Sequence, residues 1–178
     1  DCFKLSEKAG IQFVMAMGVA FFCPYQGVIS DDATLNVVNK LYEKGIRRLY
    51  LAASTGMENP LHINRVFTRV LDQWPDIELG FHMHERTGMA AANMFAALNA
   101  GATSVEGSIC GIGGGIVMPG GMGDIGNIPT EDIVNMLNRS GLDTGLDTKL
   151  MALTAKKIEE ILGIPSRSFV ARNDDIGV

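Results

Sequence analysis

Short apolar runs recur along the chain, each followed by a turn and then by apolar residues at helical spacing. That alternation is the signature of parallel βα units, and four units can be read. Residues 11–19, Ile-Gln-Phe-Val-Met-Ala-Met-Gly-Val, form the first strand, and residues 22–27 its exit loop. Ser30-Asp31-Asp32 then offers side-chain oxygens to the free amides of a helix over about 32–44, closed by Gly45. The second strand spans 48–53, and its helix begins at Pro60 and stops at Pro75. The third strand spans 77–83 and leads to an Ala- and Met-rich helix over 88–100, ended by Gly101. The fourth spans 103–109 and enters a loop with nine glycines between Gly107 and Gly126. Helices over about 130–138 and 147–162 complete the pattern.

Parallel strands joined by helices must either close on themselves or be covered on both faces, so the count leaves a barrel and a doubly wound sheet both open. The chain also opens on Asp1-Cys2-Phe3-Lys4, as though cut inside a helix.

His82 and His84 stand one residue apart near the end of the third strand. Side chains alternate faces along a strand, so both imidazoles point the same way and form a two-toothed ligand. They also lie at the C-terminal end, where active sites of βα folds form. Metal ligation and an ordinary acid–base or anchoring role are both open on spacing alone. His62, on an amphipathic helix, reads as a surface residue. Cys110-Gly111-Ile112-Gly113-Gly114-Gly115 is neither a Walker loop, since no Gly-Lys-Ser/Thr follows, nor a Rossmann turn, since Pro119 stands where a helix should start. It is a substrate lid or a plain connection. Cys23 and Cys110 sit near strand ends as nucleophile candidates or small buried residues. Glu85 and Arg86 adjoin the histidines, either facing substrate or forming a solvated pair.

Composition narrows the partners. A net charge of −5 with no cluster of Lys or Arg excludes a phosphate-tracking surface, so no nucleic-acid partner is expected. Three cysteines without Cys-x-x-Cys spacing give neither a disulfide framework nor a thiolate zinc site and suit a reducing compartment. No apolar run approaches the roughly 20 residues of a membrane span. A soluble, cytoplasmic protein with no membrane partner is the expectation.

Five ordered motifs now carry a family resemblance. They are Cys23-Pro24-Tyr25-Gln26-Gly27, His82-Met83-His84, Thr87-Gly88-x-Ala90-x-Ala92-Asn93, Gly111-Ile112-Gly113-Gly114 and Gly126-Asn127-x-x-Thr130-Glu131-Asp132. Together, over about residues 13–171, they resemble the C-terminal half of the 3-hydroxy-3-methylglutaryl-CoA lyase family. The resemblance implies a TIM (β/α)8 barrel in which the four units are strands 5–8. Residues 1–178 would then be the C-terminal half of a single catalytic domain whose N-terminal half lies outside this sequence. It further implies that His82, His84 and Asn127 bind Mg²⁺ or Mn²⁺, oxygen and nitrogen donors suiting such a metal. The implied reaction is carbon–carbon cleavage of a 3-hydroxyacyl-CoA such as hydroxymethylglutaryl-CoA into acetyl-CoA and an oxo acid, by a homo-oligomeric enzyme acting on a small-molecule acyl-CoA or oxo-acid substrate.

The chain departs from the family pattern at three places. The loop cysteine of the family corresponds to Gly115, the strand-six Gly-Asp-Thr reads Ala52-Ala53-Ser54, and His-x-His-Asp-Thr reads His82-Met83-His84-Glu85-Arg86. Glu85 and Cys110 are therefore the candidates for the missing proton-transfer groups. A Claisen-type synthase or oxo-acid aldolase is the related alternative, because Val105-Glu106-Gly107-Ser108-Ile109 is similar to strand eight of isopropylmalate synthases. A non-catalytic homologue, keeping the barrel but not the lost cysteine and aspartate, is the third.

Overall fold

In the computed structural model, residues 1–114 and 125–173 are described. Helix α1 (Cys2–Lys8) precedes strand β1 (Met15–Met17). The segment expected as an exit loop instead forms a hairpin, β2 (Phe22–Cys23) against β3 (Gly27–Val28), with Gly27 at φ +78° where the return strand begins. Helix α2 (Asp31–Tyr42) starts where the Ser30 hydroxyl accepts the Ala33 amide at 3.3 Å. Strand β4 (Arg48–Ala53) leads to α3 (Pro60–Gln73), whose first turn has the Asn59 side chain on the His62 amide and Pro60 at a position that needs no donor.

Strand β5 (Glu78–Glu85) runs two residues beyond its expected end, and α4 (Ala90–Asn99) starts two residues late because Gly88 turns the chain at φ +77°. Strand β6 (Ser104–Glu106) is shorter than expected, since residues Ile109–Gly111 form a single 3₁₀ turn. Then come β7 (Gly126–Asn127), α5 (Thr130–Arg139), α6 (Thr148–Leu162) and the short α7 (Phe169–Arg172). Asp147 caps the start of α6, and Gly163 in the left-handed conformation closes it.

The sheet order is β1-β4-β5-β6, parallel throughout, with β7 added antiparallel to the end of β5. Alternation along β4 and β5 sends Leu49, Leu51, Leu79, Phe81 and Met83 to one face, all fully buried. There they pack with Val38 of α2, Ile63, Val66 and Phe67 of α3, and Met94 of α4 in one core cluster. Phe81 stands edge-on to Phe21 and Phe67, with centroids 6.1 and 5.6 Å away. Each large apolar side chain so buried contributes about 1.5–3 kcal/mol.

The other face carries Arg48, Tyr50, Glu78, His82 and Glu106, with Arg48 Nε 2.6 Å from Glu78. Because α2, α3 and α4 share one core on one face, the arrangement is that of a barrel wall. A doubly wound sheet would be covered on both sides. Among the described residues, neither β1 nor β6 has a strand on its outer edge, and four strands cannot close a barrel.

His62 corrects an expectation. It is only 5% exposed, lodged between α2 and α3 with its ring edge-on to Phe21 and its Nε2 3.2 Å from Asp31. The amphipathic spacing of α3 reads as a solvated face, but α2 lies against that face. A histidine can bury its ring there because Asp31 satisfies its nitrogen. Asp31 also receives Arg65 at 2.6 Å and Arg69 at 3.3 Å. The Arg65 guanidinium chiefly holds the Asp31 carboxyl down to about 2, against an ordinary value of 3.8.

A carboxyl lowered by folding adds stability above its unfolded value and loses it as pH falls through its folded one. The difference in urea-unfolding free energy between wild type and Asp31→Asn should be constant above about pH 5 and shrink towards pH 2. A difference that stayed flat to pH 2 would show that Arg65 does not hold the ionised carboxylate.

Candidate metal centre

Two neighbours along one edge place the end of β5. Strand β6 runs parallel and sets Glu106 beside His82, and β7, further along, runs antiparallel and sets Asn127 opposite His84. These registers bring together the three side chains that the resemblance assigns to a metal. His82 Nε2 and His84 Nε2 approach to 3.2 Å, with the rings at 73°. Two neighbouring ligands of an octahedral cation with bonds of about 2.0–2.1 Å lie about 3.0 Å apart. The imidazole pair therefore already has nearly the bite such an ion requires.

Asn127 completes the cradle. Its amide nitrogen donates to the Ile112 carbonyl at 2.9 Å, which leaves Oδ1 buried and without a hydrogen-bond partner. A buried amide oxygen without a partner is costly in a closed core but suits a cation. Gly113, at φ +94°, makes the approach possible, since a Cβ there would stand 2.8 Å from Asn127 Nδ2. Among the described residues no group of three or more His, Cys, Asp or Glu side chains could hold a metal. The candidate donors among the described residues are thus two imidazoles and one amide oxygen.

The electrostatics favour neutral ligands. Burial, reinforced by the neighbouring His82, pushes His84 down to about 4. Burial also lowers His82, opposed by the Glu106 carboxylate. Neutral imidazoles keep a lone pair available, whereas a protonated ring would repel a cation.

The structure does not bring the expected proton-transfer groups to this face. Glu85 follows His84 by one residue and so points to the opposite side of the strand. There its two oxygens accept the amides of Gly88 at 2.6 Å and Ala90 at 3.0 Å, capping the entry to α4. Cys110 is 1% exposed, at φ 59°, with its thiol donating to the Ala155 carbonyl at 3.2 Å. Burial pushes that thiol up, away from thiolate. Its roles are packing against α6 and shaping the turn. Gly115, and the loop from it to residue 124 expected as a lid or connection, lie outside the described residues. Ala53 is fully buried.

The motif residues after Asn127 have structural roles. The fully buried Glu131 accepts the Cys110 amide at 2.9 Å, and Asp132 accepts the Ser168 hydroxyl and the amides of Phe169 and Val170. They tie α5 to the 3₁₀ turn and to α7. Glu106 is the residue that motif reading missed; the period-two alternation of its strand was the available signal.

A parallel sheet covered by helices on one face, with nitrogen and oxygen donors converging at the C-terminal ends of its strands, defines a segment of a βα-barrel with a candidate site at that end. The HMGL-like family model matches residues 1–158, and the chain belongs to that family. It is 31% identical over 166 residues to (R)-citramalyl-CoA lyase of Chloroflexus aurantiacus, covering 93% of this chain and 51% of that protein. It is 33% identical over 165 residues to hydroxymethylglutaryl-CoA lyase of Bacillus subtilis, covering 92% and 54%. An Acinetobacter baumannii HMG-CoA lyase structure, in complex with coenzyme A and 3-methylmalate, superimposes with a TM-score of 0.87 at 30% identity, covering 98% of this chain and 57% of that one. The chain spans about half the length of the curated relatives it matches. Its strands are thus part of a TIM barrel, as the resemblance implied.

Glu85→Ala should lower the unfolding free energy by about 1 kcal/mol, the usual loss for a helix-start cap, with Glu85→Gln losing less because one acceptor remains. Unchanged stability of the alanine variant in urea would overturn the capping role.

Proposed function

We propose that the protein cleaves a carbon–carbon bond in a 3-hydroxyacyl-CoA such as hydroxymethylglutaryl-CoA, giving acetyl-CoA and an oxo acid, with a divalent cation, Mg²⁺ or Mn²⁺, as cofactor. The observation that carries this reading is the 3.2 Å convergence of the His82 and His84 Nε2 atoms beside the unpartnered Oδ1 of Asn127. The names of the relatives support the reaction class.

His82, His84 and Asn127 would hold the ion, which when bound would supply Lewis-acid polarisation of substrate oxygens. The chain's own contribution is positioning. The imidazoles and the amide are fixed by strand register, so they need little reorganisation when substrate arrives. The exposed Arg86, two residues beyond His84, adds a cation at the catalytic end of the sheet, suited to a carboxylate or phosphate of an acyl-CoA. Neither Glu85 nor Cys110 faces this site, so the proton of the substrate's tertiary hydroxyl would be taken by another group, on this face or from the rest of the barrel. Three free cysteines fit a cytoplasmic location.

Ala53 and Gly115 favour one competing reading, a homologue that keeps the cradle without turnover. The test is release of acetoacetate from hydroxymethylglutaryl-CoA by the intact protein with Mn²⁺ or Mg²⁺, against an EDTA control and His82→Ala. Metal-dependent release that falls at least about 100-fold in the variant is expected, a ligand and its charge stabilisation both being lost. Mn²⁺ bound through the histidines with no release from a panel of hydroxyacyl-CoA and oxo-acid substrates would replace the lyase with the non-catalytic homologue.

A further inference from the structure

Glu106 stands directly beside His82 in the parallel register of β5 and β6, on the same face of the sheet. Its Oε2 lies 3.3 Å from His82 Nδ1. That distance is within ion-pair reach although not aligned as a hydrogen bond, and Nδ1 is buried with no other partner. The second nitrogen of the same ring, Nε2, faces His84 Nε2. His82 therefore bridges a carboxylate on one side and the cradle on the other.

A neutral imidazole carries one proton, and its position decides which nitrogen has a free lone pair. With the proton on Nδ1, held towards Glu106, Nε2 is left as a donor pointing into the cradle. With the proton on Nε2, the cradle is blocked and the carboxylate faces a lone pair. The charge of Glu106 favours the first state. Arg48, the nearest cation on this face by register, is occupied by Glu78 at 2.6 Å, so it does not claim Glu106 among the described residues. His84 has no such support, because its Nδ1 is buried without a partner. Orientation of the pair thus rests on the Glu106 side. Glu106 does not act as a third ligand with the histidines, since no such trio forms among the described residues.

We propose that Glu106 is a positioning residue that fixes His82 as the Nδ1–H tautomer and thereby sets the affinity of the His82–His84–Asn127 cradle for a divalent cation. The affinity part rests on the metal reading given above, whereas the tautomer part does not. Outer carboxylates of this kind orient the ring and strengthen its donor nitrogen.

The experiment uses the intact protein in two arms. In the metal-free protein, long-range ¹H–¹⁵N spectra should show His82 protonated on Nδ1, and Glu106→Ala should shift it towards Nε2–H. In the second arm, Mn²⁺ is titrated and the free ion followed by electron paramagnetic resonance. Glu106→Ala should weaken binding about 10–100-fold, Glu106→Gln, which keeps an acceptor oxygen, should weaken it less, and His82→Ala should abolish it. Circular dichroism and thermal midpoints establish that each variant is folded, and the glutamine variant carries the test if the alanine variant is not. An Nε2–H tautomer in wild type overturns the proposal. So does Mn²⁺ affinity unchanged in Glu106→Ala and Glu106→Gln while His82→Ala loses it, a result that leaves the metal reading intact. Mn²⁺ binding indifferent to His82→Ala overturns the metal reading and the affinity part with it, leaving the tautomer arm to stand on its own spectra.

Discussion

The alternation of side chains along β5 is the constraint on which the rest depends. One strand must supply Leu79, Phe81 and Met83 to the core and His82 and His84 to the other face. A slip of one residue would exchange the two sets, placing imidazoles among apolar side chains and Phe81 in the polar interior. Fully buried Phe81 and Met83, packed on α3 and α4, therefore fix the register that aims the histidines. Stability and site geometry are two consequences of the same packing.

Neighbouring elements add to that register without repeating it. Strand β4 pairs with β5 along six residues, β6 with three, and β7 only with the tip, so His82 is set between Ala52 and Glu106 while His84 is set opposite Asn127. Asn127 is held by Ile112, and the turn before it by Glu131 through the Cys110 amide. The buried Glu131 carboxyl, which desolvation pushes upward, is offset by that donor. The glycines at 111 and 113 are needed because Asn127 lies within about 3 Å of where a side chain would stand, as its backbone oxygen and amide nitrogen do at 2.8 Å.

Much of this was legible in the sequence. The βα alternation predicts β4 to the residue and α3 to within one at its end, because apolar period and cap residues coincide there. The His-x-His spacing predicts two imidazoles on one face by strand geometry alone. What was not legible depends on contacts distant in sequence. His62 is buried because α2 covers α3, Cys110 is turned to α6 by a left-handed backbone, and Glu85 is drawn to the start of α4. Nearness in sequence made Glu85 look catalytic, although the same period-two rule that unites the histidines excludes it from their face. Glu106, twenty-two residues from His84, is joined to the site only by the β5–β6 register.

Retention of the cradle and replacement of the family's acid and thiol positions by Ala53 and Gly115 bear differently on metal and on proton chemistry. Strand register and buried packing hold the imidazoles whether or not a proton is transferred, so the proposed ion site does not depend on the proposed turnover. Ala53 is fully buried on the core side of β4, where a carboxylate would need a partner to offset its desolvation. In this chain the space is closed by small apolar packing instead. The adjoining loop buries a different carboxyl, Glu58, whose Oε1 accepts the Thr55 hydroxyl at 2.9 Å and whose acidity is suppressed by burial. That carboxyl organises the turn ahead of α3. Any proton transfer in this protein consequently has to be arranged differently from the family pattern, even where the donors for the cation are the same.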